Sequence, residues 1–145
     1  MTAELRPDWY RPGDYSDADM DMAGVYQWSL QGVWVYVGRA KVLRKRFCDY
    51  PRNIAAMIEG RPWHGNPAKD YRAIHFALRK AYDSGIPVDF SVLETCQPET
   101  RFERKRYWLA KRRGEAQTGG AAVINSDRAA LAPRTPTLPI PQEPA

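Results

Sequence analysis

Apolar and aromatic positions alternate with polar ones from 22 to 30 (MAGVYQWSL), the period of a strand with one buried face. Gln31-Gly32 is a tight-turn pair, and 33 to 37 (VWVYV) is β-branched and aromatic, so the two runs make a hairpin. The period then changes. From 41 to 50, Leu43 and Phe47 lie four apart on one helical face, with Arg46 and Tyr50 four apart on another. Pro51 predicts an end to that helix, and 53 to 60 predicts a second short one before a loop over 61 to 70. Residues 71 to 82 form a clearer helix, with Ile74, Ala77, Leu78 and Ala81 on its buried side and Gly85 just past its end. The alternating run 88 to 95 (VDFSVLET) is a third strand, with Val88, Phe90 and Val92 on one side and Glu94 a candidate to join them. A last helix starts at Pro98 and runs to about 113, followed by a flexible loop over 114 to 120 and a short apolar segment ending at Asn125. The expected fold is α+β: a small three-stranded antiparallel sheet flanked by helices, in the order β-β-α-α-β-α.

Composition divides the chain into three. Residues 1–21 carry six acids against Arg6 and Arg11 and read as an acidic arm, which Trp9, Tyr10 and Tyr15 can anchor. Residues 22–126 are the folded domain. Residues 127–145 are rich in Pro and Ala, with prolines at 133, 136, 139, 141 and 144; they cannot build a core and are expected to be disordered, either a plain tail or a linker to a partner protein.

Charge sharpens this picture. The net charge is +5, with a pI of about 9.4, and the excess is concentrated. Arg39, Lys41, Arg44, Lys45 and Arg46 form one block without an acid. A second block over 101 to 113 has seven bases and one acid, Glu103. Two such blocks favour nucleic acid as the partner. Cys48 and Cys96 are too few for a disulfide framework, so a reduced, cytoplasmic setting is expected. The first twenty residues lack the apolar core of a signal peptide, and no run reaches the length of a membrane span. His64 and His75 lie eleven apart with no cysteine pair near them, which argues against zinc; His75 reads as a surface or core-edge residue.

The first basic block places phenols beside cations. Tyrosine is a poor base at neutral pH, with an ordinary pKa of about 10, and neighbouring cations favour its phenolate. Gly24-Val25-Tyr26 and Tyr36-Val37-Gly38 stand in the two arms of the hairpin, Arg46 falls eight residues after Gly38, and Tyr50 four residues later. On these residues the stretch from 22 to 126 resembles the GIY-YIG nuclease superfamily, whose catalytic domains occur in excision-repair and homing endonucleases. Either tripeptide alone is only a good strand; the pair at this spacing with the arginine is the specific signal. Relatives in excision repair carry lysine directly after the second tripeptide, where this chain has Arg39, which keeps the charge but cannot act as a base.

The resemblance implies a DNA endonuclease dependent on Mg²⁺ or Mn²⁺, with the metal on a glutamate of the last helix. Glu103 is the expected ligand, aimed at the sheet edge beside the stripe of Phe102 and Leu109; Glu99, one turn earlier, is a rival. The family glutamate is usually followed by an aromatic-aliphatic pair three and four residues on, whereas Trp108-Leu109 falls five and six after Glu103. In this scheme Tyr36 activates or orients water, helped by Arg39, and Arg46 clamps the phosphate. Tyr26 and Tyr50 complete the hydrogen-bond network, and Asn125 matches an asparagine that members carry just past the helix. Lys41, Arg44, Lys45, Arg104 and Lys105 are expected to add salt-dependent DNA affinity. The alternative is a binding module that keeps the fold without cutting.

Overall fold

The computed structural model describes residues 4–68 and 70–125. The Pro-rich segment expected to be disordered lies outside them. Among the described residues there are five strands and three α-helices, with three short 3-10 turns between them: β1 (Tyr10–Pro12), β2 (Ala23–Leu30), β3 (Trp34–Ala40), α1 (Leu43–Ile58), α2 (Ala73–Asp83), β4 (Val88–Cys96), α3 (Arg101–Gln117) and β5 (Ala122–Val123). Among the described residues no helix is long and apolar enough to cross a membrane.

The fold is α+β, but its sheet is five-stranded and mixed, in the order β1-β4-β2-β3-β5, rather than the three-stranded antiparallel sheet expected. The central three strands are antiparallel; β1 is added parallel to β4 and β5 parallel to β3. The acidic arm supplies β1 because its aromatics are core residues. Trp9 is buried and stacks on Trp28 with ring centroids 5.4 Å apart. Arg11 forks onto its strand partner Asp89 at 2.8 and 3.1 Å.

The hairpin turns at Gly32, whose positive φ of 76° an L side chain rarely adopts. One face of the sheet carries Tyr26, Trp28, Tyr36 and Phe90, and α1 covers it: Phe47 stacks on Trp28 at 5.7 Å and Tyr50 meets the same ring edge-on at 5.3 Å. Contrary to expectation, α1 does not stop at Pro51 but runs on to Ile58 as one helix. Proline removes one hydrogen bond there, which the burial of Tyr50, Ile54, Ala55 and Ala56 offsets. The opposite face is covered by α3, which is longer than predicted and takes in Gly114 rather than ending before it. Its half-buried positions, Arg101, Arg104, Lys105, Trp108, Leu109, Arg112, Arg113 and Ala116, repeat at helical spacing and mark the side turned to the sheet.

Between Val25 and Tyr26 the register with β4 shifts: Tyr26 pairs with Val92 but Val25 with Glu94, leaving Leu93 as the extra residue. The bulge moves Glu94 from the side of Val92 to the face under α3. There it accepts from Arg104 Nε and Trp108 Nε1, each at 2.9 Å.

Candidate functional site

Gly38 shapes the floor of the site. A Cβ at this position would overlap the Tyr26 ring, so only glycine lets that ring lie across β3. Gly24 is required in the same way, since a Cβ there would run into the backbone carbonyl of Glu94. Held across Gly38, the Tyr26 hydroxyl meets the Tyr50 hydroxyl of α1 in a short, buried hydrogen bond. Burial pushes both phenols up, away from the phenolate that neighbouring cations were expected to favour, and the charge of Arg46 opposes this without reversing it. Tyr26 and Tyr50 are therefore a neutral, fixed brace.

Tyr36 is 8% exposed, its ring centroid 6.5 Å from that of Tyr26. Its hydroxyl makes no hydrogen bond with any described residue and is not among the sealed polar atoms without a partner. It is available to a ligand. Arg46, half exposed, has only a long contact with Asp49 at 4.0 Å. Arg39 lies over the Phe102 ring at 3.9 Å, and Arg101 stacks on the same ring at 4.8 Å. Burial lowers the Arg39 pKa, and the charges of Arg101 and Arg46 lower it further.

Asn125 takes a structural place. Its carboxamide accepts from the Val37 N–H at 2.8 Å and donates to the Val37 carbonyl at 2.7 Å. Because β5 itself pairs only with Trp34 and Val35, this contact is the last one along the outer edge of β3. Beyond it, Gly38, Arg39 and Ala40 pair only with β2. The residues of both sheet faces meet at that open edge.

The expected acids stand apart from the sheet-facing stripe. Glu103 is exposed, outside the sheet-facing stripe of α3, and Phe102, expected to belong to the apolar stripe beside it, is 47% exposed. Glu99 is exposed as well, in the turn before α3. Glu94 is inside but occupied by Arg104 and Trp108, which hold its carboxyl below the usual carboxylate range. Among the described residues no three of His, Cys, Asp and Glu gather where a metal ion could sit.

Lys105, one turn before Leu109, belongs to the side of α3 turned to the sheet. Its pKa is lowered to about 8 by burial and by the charges of Arg39, Arg72, Arg113 and Arg46. Arg72, which the sequence reading missed, stands at the start of α2, where its backbone N–H donates to His75 Nδ1 at 3.1 Å. His75, expected at the surface or the core edge, is buried to 4% exposure among the rings of Tyr50, Trp63 and Tyr71. A signal for Lys105 was present: Trp108-Leu109 lies three and four residues after it.

The other expected DNA contacts divide. Arg44 is held by the acidic arm, through Asp21 at 2.9 Å and Asp17 at 3.2 Å, and Arg104 by Glu94 at 2.8 Å. Lys41 and Lys45 are exposed and pair with no described residue. Comparison with protein-family models, with curated proteins and with solved structures gives no match to this chain.

Proposed function

We propose that this chain is a DNA-acting domain of the GIY-YIG nuclease type, which grips phosphodiesters at the open edge of β3. One observation carries the reading: Arg39, Arg46 and Arg72, from three different elements, all bear on Lys105 of α3, Arg39 stands on the strand that carries the free hydroxyl of Tyr36, and among the described residues the one carboxylate paired with any of the four is Asp49, 4.0 Å from Arg46. A phosphodiester is the ligand such a set suits. Arg46 offers a guanidinium fork to two phosphate oxygens, Tyr36 a single hydroxyl donor, and the Tyr26–Tyr50 brace keeps that hydroxyl in place. Lys41 and Lys45 add charge that any sequence of DNA would feel, giving salt-sensitive, sequence-tolerant binding.

Endonuclease activity is the second reading, favoured by the free hydroxyl of Tyr36 on the strand that carries Arg39. Supercoiled plasmid separates the two. Retardation that weakens with salt, collapses in Arg46→Ala and declines in Tyr36→Phe is expected under both. Nicking that appears with magnesium, stops with EDTA and is lost in Glu103→Ala belongs to the endonuclease alone. Plasmid binding indifferent to Arg46→Ala would sink the proposal.

A further inference from the structure

Lys105 is the one ammonium in the sheet-facing stripe of α3. The guanidiniums bearing on it belong to β3 (Arg39), α1 (Arg46), the entrance of α2 (Arg72) and α3 itself (Arg113, about two turns on). It has no hydrogen bond or ion pair with any described residue. The nearby carboxylates are turned out or taken: Glu99 and Glu103 are exposed, Glu94 is bound by Arg104 and Trp108, and Asp49 is shared between Arg46 at 4.0 Å and Arg52 at 3.5 Å. A half-buried cation among cations is unfavourable until an anion joins it.

We propose that Lys105 contacts the bound phosphate directly and supplies at this edge the positive charge that a divalent ion would otherwise bring, so that phosphate binds here without metal. The inference rests on the phosphodiester reading above and narrows it. An ammonium is a compact point charge with three donors. It can meet the phosphate oxygens that the Arg46 fork leaves free, and it repels a divalent cation from the place that it occupies.

The test uses the full chain and three probes: inorganic phosphate, a short DNA duplex, and Mn²⁺ followed by its free-ion paramagnetic resonance signal. Lysine side-chain NMR reads Lys105 directly in the unmodified protein. Phosphate should move the Lys105 resonance equally with and without EDTA. Lys105→Gln should weaken phosphate and duplex binding tenfold or more, Lys105→Arg should recover most of it, and melting curves should show both variants folded. Mn²⁺ should remain free. Uptake of one Mn²⁺ per chain, an unmoved Lys105 resonance, or a Lys105→Gln variant that binds phosphate like the parent would each overturn the proposal. If duplex binding persists unchanged in Lys105→Gln, the DNA reading stands and this one falls. If inorganic phosphate binds through Lys105 while no duplex does, the reverse holds.

Discussion

The carboxamide of Asn125 forms both of its bonds to one residue, Val37, 88 positions earlier, at 2.8 and 2.7 Å. Side chain here continues a strand ladder that the backbone has left off. Val37 lies between Tyr36 and Gly38, so the contact fixes the strand segment on which the site depends. Asn125→Ala should cost about 1–3 kcal/mol in urea denaturation, because it leaves the Val37 backbone groups unpaired. DNA affinity should fall with it, and Asn125→Asp should fare no better, since a carboxylate cannot donate to the Val37 carbonyl.

Gly38→Ala should be among the most harmful small substitutions in the chain. Its methyl group would occupy the place of the Tyr26 ring, and forcing atoms into a packed site typically costs 1–3 kcal/mol or roughly that order. Displacing the ring also breaks the bond to Tyr50. A lowered melting temperature with weakened DNA binding is expected; a variant as stable as the parent would contradict this packing.

His75 should make the fold acid-sensitive. Burial first, then the charges of Arg72 and His64, lower its pKa to about 4 from an ordinary 6.5. Between those values the unfolded chain binds more protons than the folded one, so stability is complete above 6.5 and is lost as pH falls toward 4. Roughly 3 kcal/mol is at stake at most. Denaturation midpoints measured from pH 7.5 to 4.5 should fall, and His75→Gln should flatten that slope.

Lys105 should set a slope of the same sign at alkaline pH. Folding lowers its pKa to about 8 from 10.5, so protons favour the unfolded state and stability rises as pH climbs through that window. Lys105→Met should therefore stabilise the free protein at neutral pH, by about 1–2 kcal/mol once solvent screening is allowed for. Phosphate affinity should move the other way. Above pH 8 Lys105 loses its charge while Arg39, Arg46, Arg72 and Arg113 keep theirs, and binding to the parent should weaken, with Lys105→Arg removing the dependence.

Asp17 and Asp21 pair with the exposed guanidinium of Arg44. Changing both to Asn should free that guanidinium and raise DNA affinity about two- to fivefold at low salt, an advantage that fades as salt screens it. Exposed pairs contribute little to stability, so the melting temperature should hardly change. Fluorescence anisotropy across a salt series would show it.

The hairpin and its tyrosines were legible because strand alternation is a strong signal and the motif spacing is exact to the residue. The face of α3 was not legible, since its sheet side holds Arg101, Arg104, Lys105, Arg112 and Arg113 beside Trp108 and Leu109. Long basic side chains bury their stems while the heads stay polar, and a search for apolar period picks Phe102 and Leu109 instead. Pro51 misled for a related reason: local propensity predicts a stop, and the burial of Ile54 and Ala55 overrides it. β1 and β5 are too short, at three and two residues, to leave a pattern of their own. Glu94 changes face through a bulge that no periodicity reveals.

The two short outer strands also govern when this protein can become whole. Tyr10 has no partner until Val88 has been made, and Trp34 none on its outer side until Ala122 follows. A nascent chain on the ribosome therefore carries an unfinished sheet, both margins bare, until nearly all the described residues have emerged. Exposed strand margins invite pairing with other chains, and closing such distant contacts is slow. Premature stops or slow translation late in the message should send this protein toward aggregates rather than toward a smaller working domain.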